Sequence, residues 1–140
     1  MSVTKRTPYR VLIVDDEPDE RDLLAELLSG PNRAVEVRDT PRAALEFLQH
    51  NPVDLAFLDH CLPGMSGAEL AQRIKKLYPH VHIVMCTGYL VEAGCPEIHD
   101  RAEHVLHKPL NLGEVLELAD SYSATREGHD YWRRWLQGWP

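Results

Sequence analysis

Arg10-Val-Leu-Ile-Val-Asp15-Asp16-Glu17-Pro18 joins a short, continuously apolar run to a pair of acids and a proline. Such a run suits a strand buried on both faces, and strands of that kind belong to parallel sheets covered by helices. Pro18 then opens a helix with Leu23, Leu24, Leu27 and Leu28 at helical spacing, and Gly30-Pro31 stops it. The same unit repeats along the chain. Ala34 to Val37 is β-like, and Thr40-Pro41 reads as N-cap and first helical residue. That helix carries Ala44, Leu45, Phe47 and Leu48 and ends at Asn51-Pro52. Asp54-Leu-Ala-Phe-Leu-Asp59 is a third strand, and the turn Leu62-Pro-Gly-Met-Ser-Gly67 leads into a helix with Leu70, Ile74 and Leu77. Val81 to Cys86 is a fourth strand and His104-Val-Leu-His107 a short fifth. Asn111 opens a helix bearing Val115, Leu116, Leu118 and Ala119.

Five strand–helix units in about 115 residues fit an α/β, flavodoxin-like doubly wound sheet, five parallel strands in the order 2-1-3-4-5 with helices on both faces. In such sheets the functional site lies outside the carboxyl ends of the strands. Position alone therefore singles out Asp15, Asp16, Asp59, Thr87 and Lys108. Converging carboxylates repel one another and invite a hard cation with oxygen ligands. Magnesium fits, because it accepts one or two carboxylates, keeps waters and bridges to phosphate. A lysine and a hydroxyl complement the remaining oxygens of a phosphoryl group, and a carboxylate can itself be the nucleophile. The neighbouring acids Glu17, Asp19, Glu20 and Asp22 read as favourable charges at a helix N-terminus.

Composition bounds the rest. A chain of 140 residues allows one domain with one sizeable core. With 44% hydrophobic and 26% charged residues it is neither disordered, fibrous nor a disulfide scaffold. No apolar run approaches the roughly 20 residues of a membrane span, and MSVTKRTPYR does not read as a secretory signal. The net charge of −7 argues against direct nucleic-acid binding. Three cysteines, Cys61, Cys86 and Cys95, form no C-x-x-C pair and point to a reduced, cytoplasmic protein. The eight histidines show no zinc spacing.

The sequence resembles the receiver domain of two-component response regulators. The residues that carry the resemblance are Val-Leu-Ile-Val-Asp15-Asp16-Glu17, Asp59-x-x-Leu-Pro-Gly-Met-Ser-Gly67, Thr87-Gly88-Tyr89 and Lys108-Pro109, in order, each at a strand end. It covers about residues 8–122, which sets a receiver at 1–122 and a linker with an aromatic tail at 123–140. The resemblance implies that Asp59 accepts a phosphoryl group from a kinase phosphohistidine. Asp15 and Asp16 hold Mg2+ with Asp59 and the backbone carbonyl of Cys61. Thr87 donates to the phosphoryl group and Lys108 pairs with it. Gly88 leaves space beside the acyl phosphate, and Pro109 follows a cis peptide. The protein is then a phosphoacceptor that assists its own phosphorylation and dephosphorylation, and not an enzyme. Its partners are a histidine kinase or phosphotransfer protein and a downstream protein, with no direct nucleic acid and no membrane. The output face or the tail could join two copies.

Alternatives are a receiver module cut from a longer hybrid kinase or regulator, an aspartate-nucleophile phosphatase, and a scaffold that has lost signalling. The phosphatase wants an Asp-x-Asp pair where this chain has adjacent Asp15-Asp16, and the complete five-residue set argues against the scaffold. Without an output domain, the chain reads as a single-domain response regulator.

Three features depart from the family pattern. Val105 stands three residues before the lysine, where the family usually carries Tyr or Phe. Gly94 and Pro96 predict a fourth helix shortened to about 96–102, or an irregular loop. The stretch Ser123 to Gly128 reads as a linker, followed by HDYWRRWLQGWP with Trp132, Trp135, Leu136 and Trp139 on one face of a short helix. That helix is expected near the fourth helix, fifth strand and fifth helix. His60 and His107 read as exposed residues flanking the site, and Tyr89 as a bulky group on the water route to it.

Overall fold

A computed structural model describes residues 8–88, 95 and 98–136, with 125–136 as backbone alone. Five strands, β1 (Tyr9–Val14), β2 (Arg33–Arg38), β3 (Leu55–Asp59), β4 (His82–Thr87) and β5 (His104–His107), form one parallel sheet in the order β2-β1-β3-β4-β5. The described helices are α1 (Pro18–Leu28), α2 (Pro41–His50), α3 (Gly67–Leu77), a single turn α4 (Ile98–Arg101) and α5 (Leu112–Leu136). The sheet and α1–α4 make one compact unit ending at Leu110, and α5 belongs to a second that begins at Asn111.

The apolar runs become the sheet's centre. Every residue of β3 is buried, as are Val11 to Val14 of β1 and Ile83 to Thr87 of β4. Side chains alternate between faces. Leu12, Val14, Ala56, Leu58, Ile83 and Met85 share one core cluster with Ala44 and Leu48 of α2 and Leu70, Ala71 and Ile74 of α3. Leu24 and Leu28 bury the inner side of α1, which packs on β1 and β2. Leu77 belongs to the expected apolar stripe of α3 but is 62% exposed, so the buried stripe closes at Ile74.

The caps follow the sequence. Thr40 Oγ1 accepts from Ala43 N–H at 3.1 Å, Ser66 Oγ from Glu69 N–H at 3.2 Å, and Asn111 Oδ1 from Glu114 N–H at 3.1 Å. Each satisfies a donor that the first helical turn leaves free. At the β5 edge, Glu103 Oε2 accepts from Ile83 N–H at 2.6 Å, and Glu103 Oε1 pairs with Lys75 Nζ of α3. His82 Nδ1 lies 3.8 Å from the same Glu103 oxygen, and burial holds this imidazole below its ordinary pKa. Burial also pushes the Glu103 carboxyl up, but Lys75 and the Ile83 N–H outweigh it and hold Glu103 below the usual range.

The C-terminal region differs from expectation. No linker interrupts 123–128; α5 runs continuously from Leu112 to Leu136. Ala124, Arg126 and Glu127 are good helix formers, and Gly128 alone costs only about 1 kcal/mol. Ser123 stays helical by donating from Oγ to the Ala119 carbonyl at 2.8 Å. Trp139 and the side chains of Trp132, Trp135 and Leu136 lie outside the described residues, as do Tyr89, Gly94 and Pro96. The expected short helix before β5 is present as α4, described over Ile98–Arg101.

Candidate functional site

Parallel pairing gathers the strand-end residues. Val14 lies opposite Leu58, so Asp15 and Asp59 end neighbouring strands. Asp59 lies opposite Cys86, and Thr87 opposite His107. One carboxylate oxygen from each of Asp15, Asp16 and Asp59 falls within 4.8 Å of the others. Asp15 and Asp59 are buried and Asp16 is exposed. Among the described residues this is the one group of three or more potential ligands placed to hold a metal.

The carboxylates are held by backbone donors. Asp15 Oδ1 accepts from Glu17 N–H at 2.9 Å, and Asp59 Oδ1 accepts from Cys61 N–H at 3.2 Å. Burial pushes Asp15 up to about 6, with the charges of Glu20 and Asp59 adding to it and the Glu17 N–H and Lys108 opposing it. A buried carboxylate so disfavoured as an anion is suited to a cation. The donors are hard oxygens on one open edge, the set that Mg2+ takes.

Lys108 supplies the positive charge. Its Nζ lies 3.3 Å from Asp59 Oδ1 and 3.1 Å from Glu20 Oε2. Burial would lower the ammonium pKa, but Glu20 and Asp59 outweigh it and hold Lys108 above its ordinary range. Lys108 N–H donates to the Thr87 carbonyl at 2.9 Å, which ties the lysine to the end of β4. The Lys108-Pro109 peptide is cis, as expected. Thr87 is 1% exposed, and its hydroxyl donates to the Gly88 carbonyl at 3.2 Å. A Cβ added at Gly88 would meet nothing within 4 Å, so the space beside it is open.

Two residues differ from their sequence reading. Glu20 sits in the first turn of α1, as expected of a helix-end acid, but it also reaches the lysine. A helix that starts at a strand's carboxyl end aims its first-turn side chains at that edge, and this geometry is the signal that identifies it. His60 is buried, whereas His107 is exposed as expected. Cys86 is a buried thiol whose pKa burial raises, so it is an inert small hydrophobe.

The sequence pattern described as the response regulator receiver domain matches residues 11–120. The chain belongs to the response regulator receiver family. PilR of Pseudomonas aeruginosa is 34% identical over 110 residues, which cover 78% of this chain and 25% of that protein. CpdR of Brucella abortus is 32% identical over 108 residues, covering 76% of this chain and 90% of CpdR. This receiver thus spans a quarter of one relative and nine-tenths of the other. A CheY-like receiver from Methanospirillum hungatei superposes with a TM-score of 0.76 at 28% identity, over 87% of this chain and 99% of its own. Receivers are two-component signalling modules that bind Mg2+ at this acidic pocket and interact with histidine kinases or phosphotransfer proteins. No helix among the receiver's described residues is long and apolar enough to cross a membrane.

Proposed function

We propose that this receiver is phosphorylated on Asp59 by a histidine kinase and that the phosphoryl group switches a protein-binding surface. The observation that carries the reading is Lys108 Nζ at 3.3 Å from Asp59 Oδ1, beside three carboxylates within 4.8 Å of one another. The P–N bond of a phosphohistidine breaks as an Asp59 carboxylate oxygen bonds to phosphorus. The imidazole leaves with the bonding pair and takes up a proton. Asp15, Asp16, Asp59 and the Cys61 carbonyl would hold Mg2+, which would supply neutralisation of charge on the phosphoryl oxygens. Lys108 pairs with one such oxygen. Thr87 turns its hydroxyl from the Gly88 carbonyl to another. The chain's contribution is positioning and charge neutralisation. On this reading residues 1–122 are the receiver, 123–140 are an extension of it, and the module works in the cytoplasm.

Incubation with Mg2+ and acetyl phosphate should attach one phosphoryl group that hydroxylamine releases. Asp59→Asn should abolish it. A variant labelled as well as the parent overturns the assignment.

A further inference from the structure

Glu20 is the one carboxylate here that the family's site pattern does not include. Its Oε2 holds Lys108 Nζ at 3.1 Å, while Lys108 also reaches Asp59 Oδ1 at 3.3 Å. The ammonium is thus shared between two elements, α1 through Glu20 and β3 through Asp59. Glu20 Oε1 is buried and accepts no hydrogen bond, and the Glu20 side chain is 18% exposed. Water therefore screens this charge less than it screens an ordinary surface carboxylate. Asp15, Asp16 and Asp59 converge for a cation. Glu20 stands outside that trio, with its charge directed at the lysine.

Resting on the reading above, we propose that Glu20 is a resident competitor for Lys108, which the phosphoryl group must displace, so that Glu20 sets how readily Asp59 is occupied. A phosphoryl group on Asp59 replaces one negative charge by about two and needs the same ammonium. It meets a fixed anion already paired there. Glu20 acts through Lys108 and is a positioning residue.

The test uses the full chain with beryllofluoride, a non-covalent stand-in for the phosphoryl group on Asp59, at Mg2+ concentrations that saturate each variant's thermal shift. Glu20→Gln keeps the size and removes the charge; Glu20→Ala also removes the hydrogen bond and serves if the glutamine folds poorly. Either should bind beryllofluoride on the order of tenfold tighter, the effect of one nearby like charge. The gain should shrink severalfold in a Lys108→Ala background, a coupling that a merely structural role would not produce. Equal or weaker binding by the Glu20 variants overturns the proposal while leaving the phosphoacceptor reading intact. A gain undiminished without Lys108 also overturns it, because plain repulsion then suffices. A parent that ignores beryllofluoride overturns both readings.

Discussion

Gly67 stands so close to the end of β3 that a Cβ on it would lie 2.4 Å from the Asp59 carbonyl oxygen and 2.7 Å from the His60 Cα. Its N–H donates to the His60 carbonyl at 2.8 Å. The two nearest of the atoms it would meet are backbone, which cannot yield as a flexible side chain would; the third, Met85 Sδ, lies at 2.9 Å.

Gly67→Ala should therefore push the first turn of α3 away from β3 and cost about 1–3 kcal/mol. The same displacement disturbs the backbone that carries Asp59. Thermal melting should show the loss, and phosphoryl uptake should fall with it. Gly88→Ala is the contrast: it meets nothing within 4 Å and should leave melting unchanged within about 0.5 kcal/mol.

Asp15→Asn should stabilise the metal-free protein. It keeps an oxygen for the Glu17 N–H and removes a buried anion that burial already pushes up to about 6. The expected gain at pH 8 is roughly 3 kcal/mol at most. Parent protein should gain about 1.4 kcal/mol when Mg2+ is at ten times its Kd, and chelation should remove it. The variant should show little Mg2+ response. Paired melts with and without chelator check both halves, and a variant less stable than the metal-free parent refutes the first.

Glu103 gives a pH signature away from the site. It is held below its ordinary value of 4.5, so folding favours its ionised form. Its contribution is complete above about 4.5 and is lost as pH falls through the lower folded value. Lys75, His82 and the Ile83 N–H face it, and Asp54 acts on the same His82. Glu103→Gln should cost roughly 1 kcal/mol at pH 7 and progressively less as the pH falls below 4.5. Denaturant melts across that range would measure the convergence.

Gly128 lies inside α5 and not in a linker. Gly128→Ala should then raise helicity and stabilise the C-terminal segment by about 0.5–1 kcal/mol. Circular dichroism and limited proteolysis near residue 128 report it. An unchanged cleavage rate would restore the linker reading.

The sheet was legible because its central strands β1, β3 and β4 are apolar on both faces and the units are punctuated by Pro, Gly and Asn. Thr40 and Asn111 announce their helices through local chemistry and cap them as read, while the Ser66 cap emerges only in the structure. The trio Asp15, Asp16 and Asp59 was legible by position at strand ends. Glu20 was not, because its link to Lys108 spans 88 positions and depends on where β5 lands beside β4. His60 was missed because a histidine in the turn after β3 reads as exposed, whereas that backbone lies close against Gly67 at the start of α3 and His60 is buried. The continuity of α5 was missed because Ser and Gly near 123–128 resemble linker composition, whereas helix propensity there is only weakly unfavourable.

The Thr87 hydroxyl already has an acceptor, the Gly88 carbonyl at 3.2 Å. On the proposed reading, engaging a phosphoryl oxygen is an exchange of acceptors and not a new bond. An exchange of this kind is worth only about 1 kcal/mol net. The two arrangements of the β4 end then lie close in free energy, and phosphorylation tilts a near-level balance. A downstream protein that prefers the tilted arrangement must, by reciprocity, hold the phosphoryl group on Asp59 more firmly while it is bound. Listener and signal would thus stabilise each other through one hydroxyl.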